Sequence, residues 1–282
     1  MPDLRHVLGF CLVVMSTCLT AHAPAEAAER IAVADGVATE IVYLLGAEDR
    51  VVGVDQTSRF PPEAAEKPQL GYFRTLSAEG VLALSPDQMI VSPHAGPPSV
   101  LEQLRAAGIP IATAPDVNKL DDIAPKVRFV GRTLGLDAEA AALEKTIADE
   151  IAEIRRTVPD WPKAPKVLFV LTIQGGSPLV AGADTSPDEI IREAGAENAA
   201  TFDGFKPMSQ EAIVGAAPDM VMMTTEHAET LGGAAVVLQR PEFMLTPAGK
   251  TENSLTLPAL TVLGIGPRSP ASVRTLRDAL GR

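Results

Sequence analysis

Residues 71–91 read GYFRTLSAEGVLALSPDQMIV, and 132 positions later residues 203–223 read DGFKPMSQEAIVGAAPDMVMM. Phe73 and Phe205, Arg74 and Lys206, Leu76 and Met208, Ser77 and Ser209, Glu79 and Glu211, Val81 and Ile213, and Pro86-Asp87 and Pro218-Asp219 align without a gap. A second echo precedes each copy: Glu40-Ile41 and Gly46-Ala47-Glu48 match Glu189-Ile190 and Gly195-Ala196-Glu197 at an offset of 149. Two copies at so long a period imply two related lobes rather than a solenoid, which needs several short repeats to close a core. Two lobes enclose a cleft, and clefts hold ligands.

Working outward, short β-rich runs alternate with helical ones. Ile31 to Ala34 and Val51 to Asp55 read as strands around a helix from Val37 to Leu45, which is βαβ grammar and favours a parallel sheet. Ser77 caps a short helix through Leu84, Gln88 to Ser92 is the next strand, and a helix from Ser99 to Ala107 leads to a strand from Ile109 to Thr113. Residues 138–158 carry neither Gly nor Pro, and Leu143, Ile147, Ile151, Ile154 and Val158 form one apolar stripe. A helix of that length spans about 30 Å and acts as a spine holding the lobes at a nearly fixed separation. Beyond three prolines, Lys166 to Leu171 is a strand, Gln174-Gly175-Gly176 a turn, Asp188 to Glu193 a helix, Met220 to Thr224 a strand and Pro270 to Leu280 a closing helix. The expected class is α/β: two βαβ-type lobes with mainly parallel sheets, joined by one long spine helix. The divisions are 1–27 leader, 28–118 first lobe, 119–160 helical linker and 161–282 second lobe.

The leader reads as a cleaved export signal. Arg5 and His6 precede an apolar run from Val7 to Thr20, and Ala25-Glu26-Ala27 offers small residues for cleavage. Met15-Ser16-Thr17 before Cys18 makes a poor lipobox, so a soluble exported protein is expected. Both cysteines, Cys11 and Cys18, lie in the leader, which leaves the mature chain without disulfides, thiolate metal sites or a cysteine nucleophile. A formal charge of −12 argues against nucleic acid and anionic membranes as partners. No G-x-S-x-G, H-E-x-x-H or G-x-G-x-x-G is present, and Ala248-Gly249-Lys250-Thr251 lacks the earlier glycine of a phosphate loop, because position 244 is Met. The common hydrolase, zinc-peptidase and dinucleotide signatures are therefore missing.

The chain resembles the substrate-binding proteins of ABC importers, in the group that carries haem, corrinoids and ferric siderophores, and within it the haem-binding branch. The resemblance is carried by Gly71-Tyr72-Phe73-Arg74 with Leu76-Ser77 and Glu79-Gly80, by Ala181-Gly182 with Thr185-Ser186, by Gly195 to Ala199, by Phe205-Lys206-Pro207 with Ser209, and by Leu263-Gly264-Ile265-Gly266-Pro267-Arg268. It implies a periplasmic protein that binds ferric haem through Tyr72, assisted by Arg74, and delivers it to an ABC permease and its ATPase. Glu79 and Glu211 then dock on the two permease subunits. A phenolate is a hard anionic donor suited to ferric iron, and tyrosinate is a known axial ligand of haem. A neighbouring cation favours its charged form, and in an extended loop residues two apart share a side, which puts Arg74 within reach. The histidine that some members place after the first strand of the second lobe is missing from Leu171 to Gly176. His94 and His227, at corresponding strand ends of the two lobes, are the remaining candidate contacts. Leu257-Pro258-Ala259 also departs from the family pattern. Rival readings are a ferric siderophore or corrinoid carrier and, from another class, a haem-handling enzyme or a non-transport use of the fold.

Overall fold

The computed structural model describes residues 30–174 and 177–281; the expected leader with its two cysteines, and part of the turn at 174–176, lie outside them. The first lobe runs β1 (Ile31–Ala34), α1 (Gly36–Leu44), β2 (Val51–Val54), α2 (Pro62–Ala65), α3 (Ala78–Leu82), β3 (Gln88–Val91), α4 (Pro98–Ala106) and β4 (Ile111–Thr113). Then come α5 (Ile123–Leu134) and α6 (Asp137–Arg156). The second lobe runs β5 (Lys166–Gln174), β6 (Ser177–Ala181), α7 (Ser186–Glu193), β7 (Glu197–Asn198), β8 (Phe205–Pro207), α8 (Gln210–Ala216), β9 (Met220–Thr224), α9 (Thr225–Thr230), α10 (Ala234–Leu238), α11 (Pro247–Lys250), β10 (Ser254–Leu257), α12 (Ala259–Val262) and α13 (Ser269–Leu280). Sheet A has the order β2-β1-β3-β4 and is wholly parallel. Sheet B has the order β10-β9-β5-β6-β8, with β7 beside β5.

The repeat is physical. Ser77 accepts the Gly80 amide to cap α3, and Ser209 accepts the Ala212 amide to cap α8. Asp87 and Arg30 exchange bonds through the Asp87 carboxylate and the two backbones, as Asp219 does with Lys166. These matched pairs set the start of β1 against β3 and of β5 against β9. The copies differ at their beginnings. Phe73–Thr75 is a 3-10 turn, whereas Phe205–Pro207 is a strand, because the second lobe has β6 for it to pair with.

That strand is the main departure from the expected fold. The expected end of the strand at Leu171 moves to Gln174, and residues 177–181 return antiparallel as β6, an antiparallel strand that the mainly parallel expectation did not place. Pro178 hid this strand. It pairs with Ile173 near the hairpin end, and its carbonyl accepts the Met208 amide.

The central strands β1 and β9 and most of β2, β3 and β5 are buried on both faces, as covered parallel sheets require. Ile31 and Val33 of β1, with Val167 and Phe169 of β5, belong to one core that continues through α1, α5, α6, α7 and α13. The alternate residues Ala32 and Ala34 face a second core, and Leu168 and Val170 a third. The spine stripe holds at Ile147, Ile151 and Ile154, with Leu143 partly buried. Val158 lies past the helix end and is exposed, since α6 stops at Arg156. Replacing Ile154 by Ala is expected to cost about 3 kcal/mol by urea unfolding. Val158→Ala should stay within about 1 kcal/mol.

Candidate functional site

Because sheet A is parallel, the loops after β1, β2, β3 and β4 leave from one edge, starting at Asp35, Asp55, Ser92 and Ala114. In open parallel sheets ligands bind at this carboxyl edge. The carboxyl ends of β5, β9 and β10 likewise share an edge of sheet B. The two edges meet: a Cβ on Gly36 would lie 2.9 Å from Leu260 Cδ1, just beyond β10. The Glu226 carboxylate on α9 accepts the Ala259 amide at 3.0 Å, tying α9 to the same segment. A surface hollow of 640 Å³ bounded by Asp219, Asn253 and Leu280 lies instead at the amino ends of β9 and β10.

Tyr72 sits half-buried on the loop that returns from β2. Its backbone is placed by the Gln56 amide, which donates to the Gly71 carbonyl, and by bonds from Leu76 to Gly96 and from Gly96 to Phe73. Its ring meets Phe73 edge to face, 4.6 Å between centroids. Arg74 does not follow the expected extended geometry. Within the 3-10 turn its guanidinium stacks over the Phe73 ring, 5.4 Å from the centroid, and no hydrogen bond joins it to Tyr72 among the described residues. The position in register with Tyr72 in the second lobe is Gly204, at φ 74°. Its amide and carbonyl are bound to Ala183 and Gly182, which also shows that the Ala181-Gly182 motif serves architecture.

The histidines differ. His94 is exposed in the loop after β3, tied to the Tyr72 loop through Gly96, and its Nε2 lies 3.0 Å from Asp116 Oδ2. Partial burial raises the Asp116 carboxyl, but the bond and charge of His94 outweigh it and hold the group below the usual range. His227 is half-buried on α9; burial pushes its imidazole below the ordinary value, and its Nε2 has no partner among the described residues. Glu79 and Glu211 are exposed in the first turns of α3 and α8, as the repeat requires. Glu211 is held below the usual carboxylate range by the backbone amide at its own position and by Ser209.

Residues that sequence reasoning missed fill the base of the edge. Asp55 is fully buried and accepts from Thr57 N and Oγ1 and from Ser58 Oγ, while Ser58 meets Thr39 at 2.7 Å. Burial raises the Asp55 carboxyl despite these bonds, and the charge of Asp35 adds to the rise. Asp35 itself is paired with buried Lys126 at 2.6 Å. The polar Gln56-Thr57-Ser58 after a strand was the only sequence signal for this cluster.

A family model described as periplasmic binding protein matches residues 31–260. The chain belongs to the periplasmic binding protein family. Among solved members, the apo form of the periplasmic heme-binding protein RhuT from Roseiflexus sp. RS-1 is 38% identical with a TM-score of 0.84, covering 89% of this chain and 97% of that one. The periplasmic heme-binding protein HutB of Vibrio cholerae is 33% identical with a TM-score of 0.82, covering 90% and 99%. A cobalamin-binding protein of Halobacterium salinarum is 30% identical over 220 residues, 76% of this chain, and the match spans only 58% of that relative's length. The bilobal α/β architecture expected from the repeat is that of this family.

The buried imidazole makes a pH prediction. A histidine whose folded value lies below the ordinary one binds its proton less readily in the folded protein than in the unfolded chain, so stability falls as pH drops below about 6.5. His227→Gln should flatten that part of the slope of urea midpoints measured between pH 7 and pH 5, and the His227 resonances should titrate below those of a free histidine.

Proposed function

We propose that this protein is a periplasmic carrier of ferric haem that ligates the iron through Tyr72 and hands its cargo to an ABC permease. The observation that carries the reading is the similarity along nearly the whole chain to RhuT, a periplasmic heme-binding protein. The local chemistry agrees with it. Tyr72 brings a hard oxygen donor to the carboxyl edge at which open parallel sheets bind ligands, beside an aromatic surface (Phe73) suited to a flat macrocycle. Arg74, stacked over Phe73, supplies positive charge to the same cluster. His94 and His227 stand at the matching strand ends as further contacts to iron or propionate. Glu79 and Glu211, exposed at equivalent helix starts, offer a two-fold pair of carboxylates to a two-fold pair of permease subunits. The protein does no chemistry on its cargo in this reading.

A corrinoid carrier is the second reading, favoured by the cobalamin-binding relative. Tyr72 would then be a wall residue. A visible-absorption titration of the mature protein with ferric haem, beside Tyr72→Ala and beside cyanocobalamin, separates the two. A saturable high-spin tyrosinate-type spectrum, lost or weakened at least about tenfold in the variant, is expected. Low-spin bands would bring His94 or His227 to the iron. Saturation by cyanocobalamin alone would overturn the haem reading. In a reconstituted permease, Glu79→Arg with Glu211→Arg should leave haem binding intact and abolish stimulation of ATP hydrolysis.

A further inference from the structure

The run from Leu263 to Arg268 holds no position at the proposed iron site, yet it is built with care. A Cβ on Gly264 would fall 2.7 Å from the Leu260 carbonyl and 3.1 Å from Val37, and one on Gly266 would fall 3.1 Å from Val37, so the two glycines let this backbone lie directly on α1 of the first lobe. Between them Ile265 is fully buried at φ 34°, a left-handed conformation that a β-branched residue resists. Ser269 locks the turn, accepting the Gly266 amide and donating to the Thr261 carbonyl. Strain held by surrounding structure at a lobe contact points to a purpose there.

Its product is the placement of Arg268. The guanidinium lies 3.5 Å from the Phe60 ring centroid and its Nη2 sits 3.1 Å from Glu40 Oε2. Glu40, on α1, is 1% exposed and Arg268 27%. Both partners belong to the first lobe, whereas Arg268 opens α13. Breaking a buried pair leaves an uncompensated charge, so this contact resists separation. It is also incomplete: Glu40 Oε1 and Arg268 Nε have no partners among the described residues, which leaves a single side-chain contact where a guanidinium and a carboxylate can make two. The repeat supplies a counterpart. Glu189, in register with Glu40, accepts the Leu120 amide of the inter-lobe segment at 3.2 Å, so each lobe's first helix uses the same carboxylate to hold chain arriving from outside the lobe.

Phe60 belongs to the excursion that carries Tyr72. That excursion leaves β2 at Asp55, is pinned at Ser58 to Thr39, passes Phe60, returns beside β2 through bonds between Val54 and Leu70, and reaches Tyr72 one residue after the bond from Gln56 to Gly71. Among the described residues, Phe60 joins this excursion to the second lobe's chain through the Arg268 guanidinium, and that contact depends on where the lobes stand.

We propose, on the carrier reading above, that Arg268 is a positioning residue for the Tyr72 loop: it clamps Phe60 and Glu40 together only while the lobes keep this separation. Splaying the lobes withdraws the guanidinium, loosens residues 56–72 and lowers retention of the ligand. Release is thereby coupled to lobe opening with no change at the iron ligand itself.

Hydrogen–deuterium exchange on the ligand-free mature protein tests the clamp without reference to the cargo. Arg268→Gln should raise exchange of amides in residues 56–72 roughly tenfold, as loss of a desolvated cation–π contact predicts, while amides of β3 stay protected. Unchanged exchange in 56–72 in a folded variant overturns the proposal, as does a uniform rise throughout the chain in Phe60→Leu, the milder variant used if Arg268→Gln does not fold. Glu40→Gln, which keeps the stack, should show a smaller rise in the same segment. With ferric haem bound, Arg268→Gln should dissociate faster to apomyoglobin with the high-spin spectrum unaltered; an altered spectrum would place Arg268 at the iron and overturn the positioning role. Failure of the wild type to bind haem rejects the carrier reading only, and the exchange result then decides the clamp.

Discussion

One apolar core shared by both lobes is the constraint on which this structure depends. It starts on the inner faces of β1 and β2, crosses α1, α5 and α6, and ends on the inner faces of β5 and β9, with α7 and α13 closing it. Residues such as Ile41, Ile154, Phe169 and Leu276 are fully buried in it together. Two lobes hinged on a flexible linker would each need a closed core of their own. Here separating them exposes apolar surface that has no other partner, so the resting geometry is stiff and small displacements are the accessible ones.

That stiffness gives the carboxyl edges their value. Parallel strands deliver four loops of the first lobe to one side, and the contact of Leu260 with Gly36 brings the second lobe's edge against it. Side chains from distant parts of the chain then hold fixed relations without being neighbours in sequence. The base of the edge is acidic and buried, with Asp35 neutralised by Lys126 and Asp55 supported by the Thr57 amide and the hydroxyls of Thr57 and Ser58, with no cation among the described residues. Burial raises the carboxyls of Glu40, Asp55 and Glu189 alike, so each is more easily protonated in the folded protein than in the unfolded chain. Their contribution to stability is therefore full at acidic pH below the ordinary carboxylate value and declines as pH rises through the folded values.

Internal duplication explains both the symmetry and its limits. The capping serines, the aspartates that fix strand starts and the helix ends at Gly46 and Gly195 recur because each serves its own lobe. The positions around Tyr72 have diverged. Tyr72 is matched by Gly204, and the 3-10 turn at Phe73 by a strand at Phe205.

The amino-acid sequence by itself determined the repeat, the α/β class, the spine helix, the helix caps and most strand positions, because each of these is written in local periodicity and in the needs of unpaired backbone groups. It also marked Glu79 and Glu211 as a pair, since register alone equates them. Tertiary structure decided the rest. Strand β6 exists because β5 and β8 flank it, against the local signal of Pro178. Arg74 turned onto Phe73 because the loop is a 3-10 turn tied to Gly96, and not an extended run. Arg268 found Glu40 and Phe60 only when the closing segment packed on α1. Such contacts join residues far apart in the chain, and their energies depend on burial, which no local pattern encodes.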